Sequence, residues 1–385
     1  MAIVALAAAL ALWLFLDDRD EPTRQPSAAT PAPADPMQSP APAEKQPKTR
    51  RFTVSVSGDL LMHSPLLTRA LANGGGESYD FAPFFKAIEP YVRDVDLALC
   101  HLETPLGPGP PATYPVFNTP IDLAASLDRS GWDACSTASN HSLDQGIEGI
   151  RDTVRALDKQ GIEHSGSFAS AKAERRPTIL RVGGVKLGYL SFTDATNGFI
   201  APSAWALDEY AAADPAAGAK AILENARRAK RAGAEAVIVN IHWGDEYSSE
   251  PNSSQREMAK RLTASPLITA VVGQHPHVVQ AIELINGKFV VFSEGNLVSN
   301  QGAASGLPVE TQDGLVALLD FRVRRGDVEV RRVRYVPTWV RPGDYVVLPA
   351  RPGADRDHAD ALRESRSRTV STVGESEGIE AVSGP

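Results

Sequence analysis

Short apolar runs that end in polar residues recur along the chain between Arg51 and about Leu348. The first, FTVSVSG (52–58), alternates as a half-buried strand does. Similar runs follow at 96–103, 133–140, 234–244, 268–277, 288–296 and 315–323. Helix-like stretches separate several of them, at 120–130, 145–160 and 216–232, and an alternating segment at 328–340 predicts edge or meander strands. Strands separated by helices predict an α/β layered domain.

The N-terminal segment has a different character. Residues 2–16 (AIVALAAALALWLFL) are uncharged and almost wholly apolar. As a helix they would span roughly 22 Å at ~1.5 Å per residue, whereas a bilayer core is ~30 Å thick. We predict an N-terminal signal-anchor over 1–21, with a buried core helix as the alternative. This interpretation predicts a single-pass cell-membrane protein whose domain is extracytoplasmic, or a secreted protein if the segment is cleaved.

The segments that flank the domain are poor in large apolar residues. Residues 22–50 contain eight prolines in 29 positions, which predicts a disordered, Pro/Ala-rich linker. Residues 349–385 are rich in Arg, Ser, Glu and Gly, and we predict a disordered tail there. A single large domain over 51–348 remains.

Composition excludes some classes of function. The formal net charge is −8, which argues against nucleic acid as the main partner because phosphate binding needs a basic surface. The chain has two cysteines, Cys100 and Cys135. They are too few for a disulfide scaffold or a cysteine-based zinc cluster, and we expect them to be buried free thiols.

Histidines fall where the predicted strands end. Five positions pair a histidine with another polar ligand type just past a strand. In open α/β sheets the carboxyl ends of the strands are where active sites assemble. A single such histidine is more often structural, but five clusters are hard to explain by chance. The clusters are Asp59 with His63, His101 with Glu103, Asn140 with His141, His242, and His275 with His277.

Carboxylates, an asparagine and several histidines form a ligand set for borderline divalent metals such as Zn, Mn or Fe. Two metals ~3.5–4 Å apart need about seven or eight ligands with one shared carboxylate. The sequence offers seven candidates, which fit two ions and exceed the need of one. They are Asp59, His63, Glu103, Asn140, His242, His275 and His277.

Two candidate groups have their own logic. In the HPH segment (275–277), side chains two positions apart on an extended backbone point to the same side, so both imidazoles would face one site. The alternative is a turn with two exposed histidines. His141 suits a general acid that protonates a leaving oxygen. Asp144 would either orient the His141 ring or simply belong to the start of the following helix.

The motifs, taken in order, resemble those of the CapA-type bacterial capsule (poly-γ-glutamate) synthesis proteins, a branch of the metallophosphoesterase superfamily. The resemblance covers roughly residues 51–340. The matching segments are SGDLLMH (57–63), LCHLETPL (99–106), FNTP (117–120), ASNHSLDQG (138–146), HWGDEY (242–247), GQHPHVVQ (273–280) and FSEGN (292–296).

The resemblance implies a layered αββα sandwich and a set of roles. Asp59, with His63, would bind a first metal, and Glu103 would bridge to a second. Asn140, His242 and one of His275 and His277 would bind the second metal, while the other of that pair returns to the first. His141 would match the acid that protonates the leaving group. His101, Trp243, Tyr247 and Asn296 are candidate substrate contacts, although the two aromatic residues are equally compatible with a hydrophobic core.

Three departures from the expected pattern bear on these roles. His101 stands where the family often has Asn. Glu103 replaces the usual Asp, and His63 lies four residues after Asp59 instead of two. Two hypotheses follow. The protein is a membrane-anchored, metal-dependent phosphoester-type hydrolase acting in capsule, poly-γ-glutamate or other envelope polymer biosynthesis. Alternatively, it is a non-catalytic accessory subunit that binds or guides an anionic polymer beside membrane synthase subunits.

Overall fold

The computed structural model describes residues 49–374 and 376–382. The predicted anchor and residues 22–48 of the predicted linker lie outside this part of the chain. Within the described residues, no helix has both the length and the apolar character needed to cross a membrane.

The strands form two large sheets and one two-stranded ribbon among the described residues. They are β1 (Arg50–Leu60), β2 (Leu97–Leu102), β3 (Leu106–Gly107), β4 (Thr119–Pro120), β5 (Ala134–Ser136), β6 (Glu163–Ser165), β7 (Thr178–Val182), β8 (Val185–Thr193), β9 (Ala236–His242), β10 (Ala270–Gln274), β11 (Ile282–Ile285), β12 (Lys288–Val291), β13 (Asn296–Val298), β14 (Asp313–Arg324), β15 (Asp327–Val340), β16 (Val347–Pro349) and β17 (Ile379–Ala381).

Helices connect many of these strands. They are α1 (Ser64–Asn73), α2 (Ala82–Phe85), α3 (Pro90–Arg93), α4 (Asp122–Ser130), α5 (Gly146–Gln160), α6 (Ala171–Glu174), α7 (Pro215–Arg231), α8 (Ser253–Ala264) and α9 (Ala359–Val373), with 3₁₀ turns at Lys86–Ile88, Ala303–Ser305 and Val309–Gln312.

The ends of the longer helices follow from local sequence. Helix α7 begins after Asp214, whose side chain accepts from the Ala217 N–H. Helix α8 begins with a capping box between Asn252 and Gln255. Side-chain oxygens at these positions satisfy N–H groups that have no partner within the helix. Helix α5 ends at Gly161, where φ is 75°, a left-handed conformation that glycine adopts at little steric cost.

Both sheets are mixed. The first has the order β16-β15-β14-β1-β2-β5-β6, with β13 beside β1 and β17 beside β15. Strand β1 is parallel to β2 and β13 and antiparallel to β14. The second has the order β11-β12-β10-β9-β8-β7, with β8, β9, β10 and β12 parallel. The strands that carry the candidate ligands are therefore parallel within each sheet, and their carboxyl ends lie at one edge.

The sheets pack face to face, which confirms the predicted α/β layered sandwich. Val54 of β1 and Leu187 of β8 belong to the apolar layer between them. Helices α1, α2, α4 and α5 cover the outer face of the first sheet, and α7 and α8 cover that of the second. Because both faces of the β9 and β10 region are covered, these strands are buried throughout and mostly apolar, as buried parallel strands are.

The prediction of a disordered tail is wrong for the described residues beyond Leu348. Helix α9 buries Leu362 and Val373, and β17 pairs with β15. Arg368 donates two hydrogen bonds to the carboxylate of Asp313. These contacts are all made to distant parts of the chain, so the segment's own composition does not reveal them.

The expectation of free thiols is also wrong. Cys100 and Cys135 form a disulfide, with their Cα atoms 4.5 Å apart. They face each other in register on the parallel neighbours β2 and β5. Their sequence separation of 35 residues hides this adjacency in the sequence.

Replacing both cysteines by alanine should lower the free energy of unfolding. In the chain-entropy description, a loop of this length contributes about 4 kcal/mol by restricting the unfolded chain. Urea unfolding followed by tryptophan fluorescence measures the loss. The matched control is the wild type unfolded in excess reductant, which removes the same bond without changing the packing. Equal midpoints for the oxidised wild type and the variant would contradict the expectation.

Candidate metal centre

The candidate ligands converge at the carboxyl ends of five strands from both sheets. Asp59 lies near the end of β1, and Glu103 follows β2 directly. His242 ends β9, and His275 and His277 follow β10. Asn140 and His141 lie in the turn after β5. Residues separated by up to two hundred positions are therefore neighbours, and their roles as ligands stay a prediction.

Asp59 lies at the middle of this cluster and is fully buried. Its Oδ1 is 3.6 Å from His101 Nε2 and 3.9 Å from His242 Nδ1. Its Oδ2 is 3.3 Å from His277 Nδ1 and accepts from the His275 N–H at 3.4 Å. The two oxygens of one carboxylate thus face histidines from different strands.

Three groups of side chains are close enough to share an ion, with their ligand atoms within 4.8 Å of one another. Asp59 belongs to two groups and His277 to two. The shared carboxylate is therefore Asp59, whereas the family resemblance assigned bridging to Glu103. The groups are Asp59–His101–His242, Asp59–Glu103–His277 and Glu246–His275–His277.

Buried polar atoms without hydrogen bonds make this cluster a candidate cation site. Within the described residues, Oδ1 of Asp59 and both carboxylate oxygens of Glu103 have no hydrogen-bond partner. Nδ1 of His275 has none either. Burying an ionised carboxylate without a partner costs several kcal/mol. A bound divalent cation removes this cost, so the residues fit the implied metal.

The electrostatics of the histidines agree with a ligand role. Burial, together with the neighbouring His277, lowers the pKa of His275 to about 4. Burial also lowers the pKa of His242 well below its ordinary value. Neutral imidazoles are the form that binds metal. Burial alone would lower the pKa of His277, but Glu103 and Asp59 raise it to about 9. Burial raises the pKa of Glu103 well above its ordinary value.

The backbone conformation of the HPH segment differs from the one that the sequence argument assumed. His275 and His277 have positive φ angles of 98° and 58°, so the backbone is not extended as the sequence argument assumed. Their ring centroids are nevertheless 6.0 Å apart, and both are in the cluster. Tyr247 and Asn197, which line the adjacent cleft, also have positive φ. Non-glycine residues rarely adopt this conformation, and such strain concentrates at functional sites.

His141 and Asp144 form a hydrogen-bonded pair beside the cluster. His141 Nδ1 donates to Asp144 Oδ2 at 2.8 Å, and the same oxygen accepts from the Phe117 N–H at 2.7 Å. Phe117 also packs edge-on against the His141 ring, with centroids 4.7 Å apart. This geometry favours the interpretation in which Asp144 orients the ring, leaving Nε2 to act toward the cleft.

Three of the candidate substrate contacts, His101, Trp243 and Asn296, have fully buried side chains, and for Trp243 this agrees with the alternative of a core residue. His101 donates to His242 Nδ1 at 2.9 Å and interacts with Ser136 Oγ at 2.7 Å, so it belongs to the ligand cluster. Trp243 is a core residue whose Nε1 donates to the Phe292 carbonyl. Asn296 holds His277 by accepting from its Nδ1 at 3.1 Å.

His63 and Asn140 lie at the margins of the cluster. His63 lines the cleft but belongs to none of the three groups, and burial lowers its pKa to about 4. Asn140 Oδ1 accepts from His242 Nε2 at 3.0 Å. Asn140 therefore contacts a ligand histidine, and its oxygen is also within reach of an ion beside that histidine.

A cleft of about 780 Å³ opens over the cluster. Tyr247 lines it, as one of the two sequence interpretations predicted. Two further residues there were missed. Glu246 joins a ligand group, and its place four residues after His242 in HWGDEY was the available signal. Asn197 Nδ2 lies 3.4 Å from His141 Nδ1, and nothing in its local sequence indicates this.

The sequence model of a family described as bacterial capsule synthesis protein PGA_cap matches residues 53–301. The chain belongs to this family. The matched region of this PGA_cap protein contains every candidate ligand from Asp59 to His277, together with the His141–Asp144 pair.

This PGA_cap chain is similar to three proteins whose names refer to capsule or polymer synthesis. Capsule biosynthesis protein CapA of Bacillus anthracis is 27% identical over 266 residues, which cover 67% of this chain and 62% of the relative. PGA biosynthesis protein CapA of Bacillus subtilis is 28% identical, covering 65% and 64%. A probable polyglutamine synthesis accessory protein of Mycobacterium tuberculosis is 29% identical, covering 45% and 46%. The chain therefore spans less than two thirds of the length of each of these relatives.

Two solved structures are similar at a low level. A phosphatase from Mycoplasma pneumoniae has 11% identity and a TM-score of 0.44, covering 75% of this chain and 94% of its own. The calcineurin-like phosphoesterase YfkN from Bacillus subtilis has 13% identity and a TM-score of 0.41, covering 84% and 98%.

The close approach of Gly295 explains why the residue before Asp59 in this PGA_cap chain is glycine. A Cβ on Gly58 would collide with the carbonyl oxygen of Gly295, which accepts the Asp59 N–H at 3.0 Å. Gly58→Ala should therefore displace the Asp59 carboxylate and weaken Mn²⁺ binding roughly 10–100-fold, the usual effect of losing support for a ligand. Calorimetric titration measures this, with Arg51→Ala on the same strand as the control. Wild-type affinity in Gly58→Ala would show that the contact does not position Asp59.

Proposed function

We infer that this chain is a metal-dependent, phosphoester-type hydrolase acting in the synthesis of poly-γ-glutamate or another cell-envelope polymer. The observation that carries the proposal is the buried cluster around Asp59, in which Oδ1 of Asp59 and both carboxylate oxygens of Glu103 have no hydrogen-bond partner among the described residues. A general-acid pair, His141 and Asp144, lies beside it. The names of the Bacillus relatives support the polymer pathway.

In this proposal the protein's own residues divide the work. Asp59, Glu103, His101, His242, His275 and His277 would hold one or two divalent ions, and Glu246 would add a ligand at the cleft side. Such ions would supply Lewis-acid stabilisation of developing negative charge. His141, held by Asp144, would donate a proton to the departing oxygen of the substrate. Tyr247 and Phe117 line the cleft in which the substrate would lie.

The proposed location is outside the cytoplasm, with the chain attached to the membrane through residues 2–16. The disulfide between Cys100 and Cys135 supports this placement, because disulfides persist in oxidising compartments and are rare in the cytosol. Membrane synthase subunits are the proposed partners.

The purified full-length protein tests the catalytic proposal. After reconstitution with Mn²⁺ or Zn²⁺, we expect bound metal by elemental analysis and hydrolysis of bis(p-nitrophenyl) phosphate that EDTA abolishes. Asp59→Asn is the matched negative control for contaminating phosphatases. Metal binding without hydrolysis of any phosphoester would favour the accessory role. Absence of bound metal would reject the proposal.

The accessory role remains as a second candidate, and one observation bears on where it would bind an anionic polymer. Within the described residues, the lining of the cleft contains no lysine or arginine. A polyanion would find few partners there, and its binding would need another surface. Complementation of a capsule-deficient strain discriminates the two, since His141→Gln should abolish capsule formation only if the chemistry is required.

A further inference from the structure

A second surface carries the positive charge that the cleft lacks. Five arginines line a groove of about 470 Å³ together with Asp320. They come from the start of β1, the end of β14 and the first half of β15. The arginines are Arg51, Arg322, Arg331, Arg332 and Arg334.

The charges in this arginine groove are only partly balanced. Arg332 and Arg334 both donate to Asp320, and Arg322 pairs with Glu329. Glu380 of β17 lies opposite Arg334 in the parallel register and is a third carboxylate. Five guanidinium groups therefore meet three carboxylates, which leaves a local charge of +2 in a chain whose formal net charge is −8. No ion pair is present for Arg51 or Arg331 within residues 49–374 and 376–382. Both side chains belong to exposed residues.

The chemistry of the groove matches carboxylates. Nε and Nη2 of Arg334 donate to the two oxygens of Asp320 at 2.9 and 3.0 Å. This fork geometry is the one in which guanidinium recognises a carboxylate strongly. The groove already binds the protein's own carboxylates in this way, and Arg51 and Arg331 offer the same group without a partner.

The groove is separate from the metal cluster. Arg51 precedes Asp59 by eight residues on the same strand, which places the two about 26 Å apart at ~3.3 Å per residue. A flexible chain with many carboxylates can occupy the groove without filling the cleft. A flat bilayer fits the surface less well because the groove is concave and its aromatic residues, Phe52 and Phe321, are stacked and buried.

We propose that the arginine groove at the start of β1 binds a polycarboxylate chain, such as polyglutamate, at a site distinct from the metal cluster. The choice of polyglutamate among polyanions rests on the proposed role in polymer synthesis. The groove and its positive charge are observed independently of that role. The groove would hold the growing or mature polymer close to the protein while the cleft acts on another group.

The test measures binding of fluorescently labelled polyglutamate to the full-length protein by anisotropy, at low salt and in EDTA so that the metal cluster does not contribute. Arg51→Glu/Arg331→Glu should weaken binding about ten-fold or more, since two exposed guanidinium partners become repulsive. The matched control is Lys220→Glu/Arg227→Glu, which makes the same charge change on exposed positions of α7. It should stay within about two-fold of wild type, because α7 covers the second sheet.

Each outcome decides the proposal. Selective loss in the groove variant supports it, even if the metal tests of the proposed function fail. Equal loss in both variants would show unspecific attraction and overturn it, as would full binding by the groove variant. Vesicles containing phosphatidylglycerol form a further arm. Groove-dependent binding to vesicles, with no binding to polyglutamate, would assign the arginines to the membrane and reject a polymer site.

Discussion

Asp59→Asn should abolish high-affinity metal binding while the protein stays folded. Asp59 is shared by two of the three possible ligand groups, and the substitution removes its charge with little change in size. Loss of a supporting residue alone typically costs 10–100-fold in affinity, so loss of the shared ligand should exceed about 100-fold. Titration calorimetry with Mn²⁺ and metal content per chain measure the effect.

The stability of this variant gives an independent check. In EDTA, the wild type keeps a fully buried Asp59 carboxylate with an oxygen that has no hydrogen-bond partner among the described residues. Removing that charge relieves its desolvation but also removes a partner of His277, 3.3 Å away, so the variant should lose less stability relative to wild type in EDTA than in saturating Mn²⁺. Asp128→Asn, on the exposed side of α4, is the control and should leave both properties unchanged. Wild-type metal affinity in Asp59→Asn would contradict the proposed centre.

His141→Gln should lower kcat by about 10²–10⁴-fold without reducing metal content, the usual range for loss of a general acid. Asp144→Asn should have a smaller effect, because Asp144 acts by orienting the ring through the 2.8 Å hydrogen bond. His358→Gln, on a partly exposed histidine outside the cluster, should retain wild-type activity.

Leaving-group dependence distinguishes proton donation from a structural role. The leaving group of a p-nitrophenyl ester is a stable phenolate anion that needs little protonation. The alkoxide leaving group of an alkyl ester needs a proton strongly. The loss caused by His141→Gln should therefore be larger for the alkyl ester. An equal loss for both esters would indicate that His141 supports the site without donating a proton.

The hydrophobic pattern predicted several of the strands and helices that position the site. The apolar run at 52–58 lies within β1, those at 96–103 and 234–244 contain β2 and β9, and the helices at 120–130 and 145–160 were also confirmed. Parallel strands end at one edge of a sheet, so polar residues that follow them meet there. This rule alone brought Asp59, Glu103 and the histidines together.

Features decided by distant contacts could not be predicted. The pairing of β2 with β5 aligns Cys100 and Cys135, and α9 is held by Asp313 and the β15 region. Trp243 follows a strand as a cleft residue would, yet it packs on Phe292. The positive φ of His275 and His277 also depends on the surrounding fold, since the local sequence would favour an extended segment.

Crystals of the full-length protein grown with Mn²⁺, measured at a wavelength where manganese scatters anomalously, test the central claim most directly. The account predicts an anomalous peak in the space enclosed by Asp59, Glu103 and His277, and its loss in Asp59→Asn crystals. Manganese bound only elsewhere, or a cluster without a peak at saturating Mn²⁺, would contradict it.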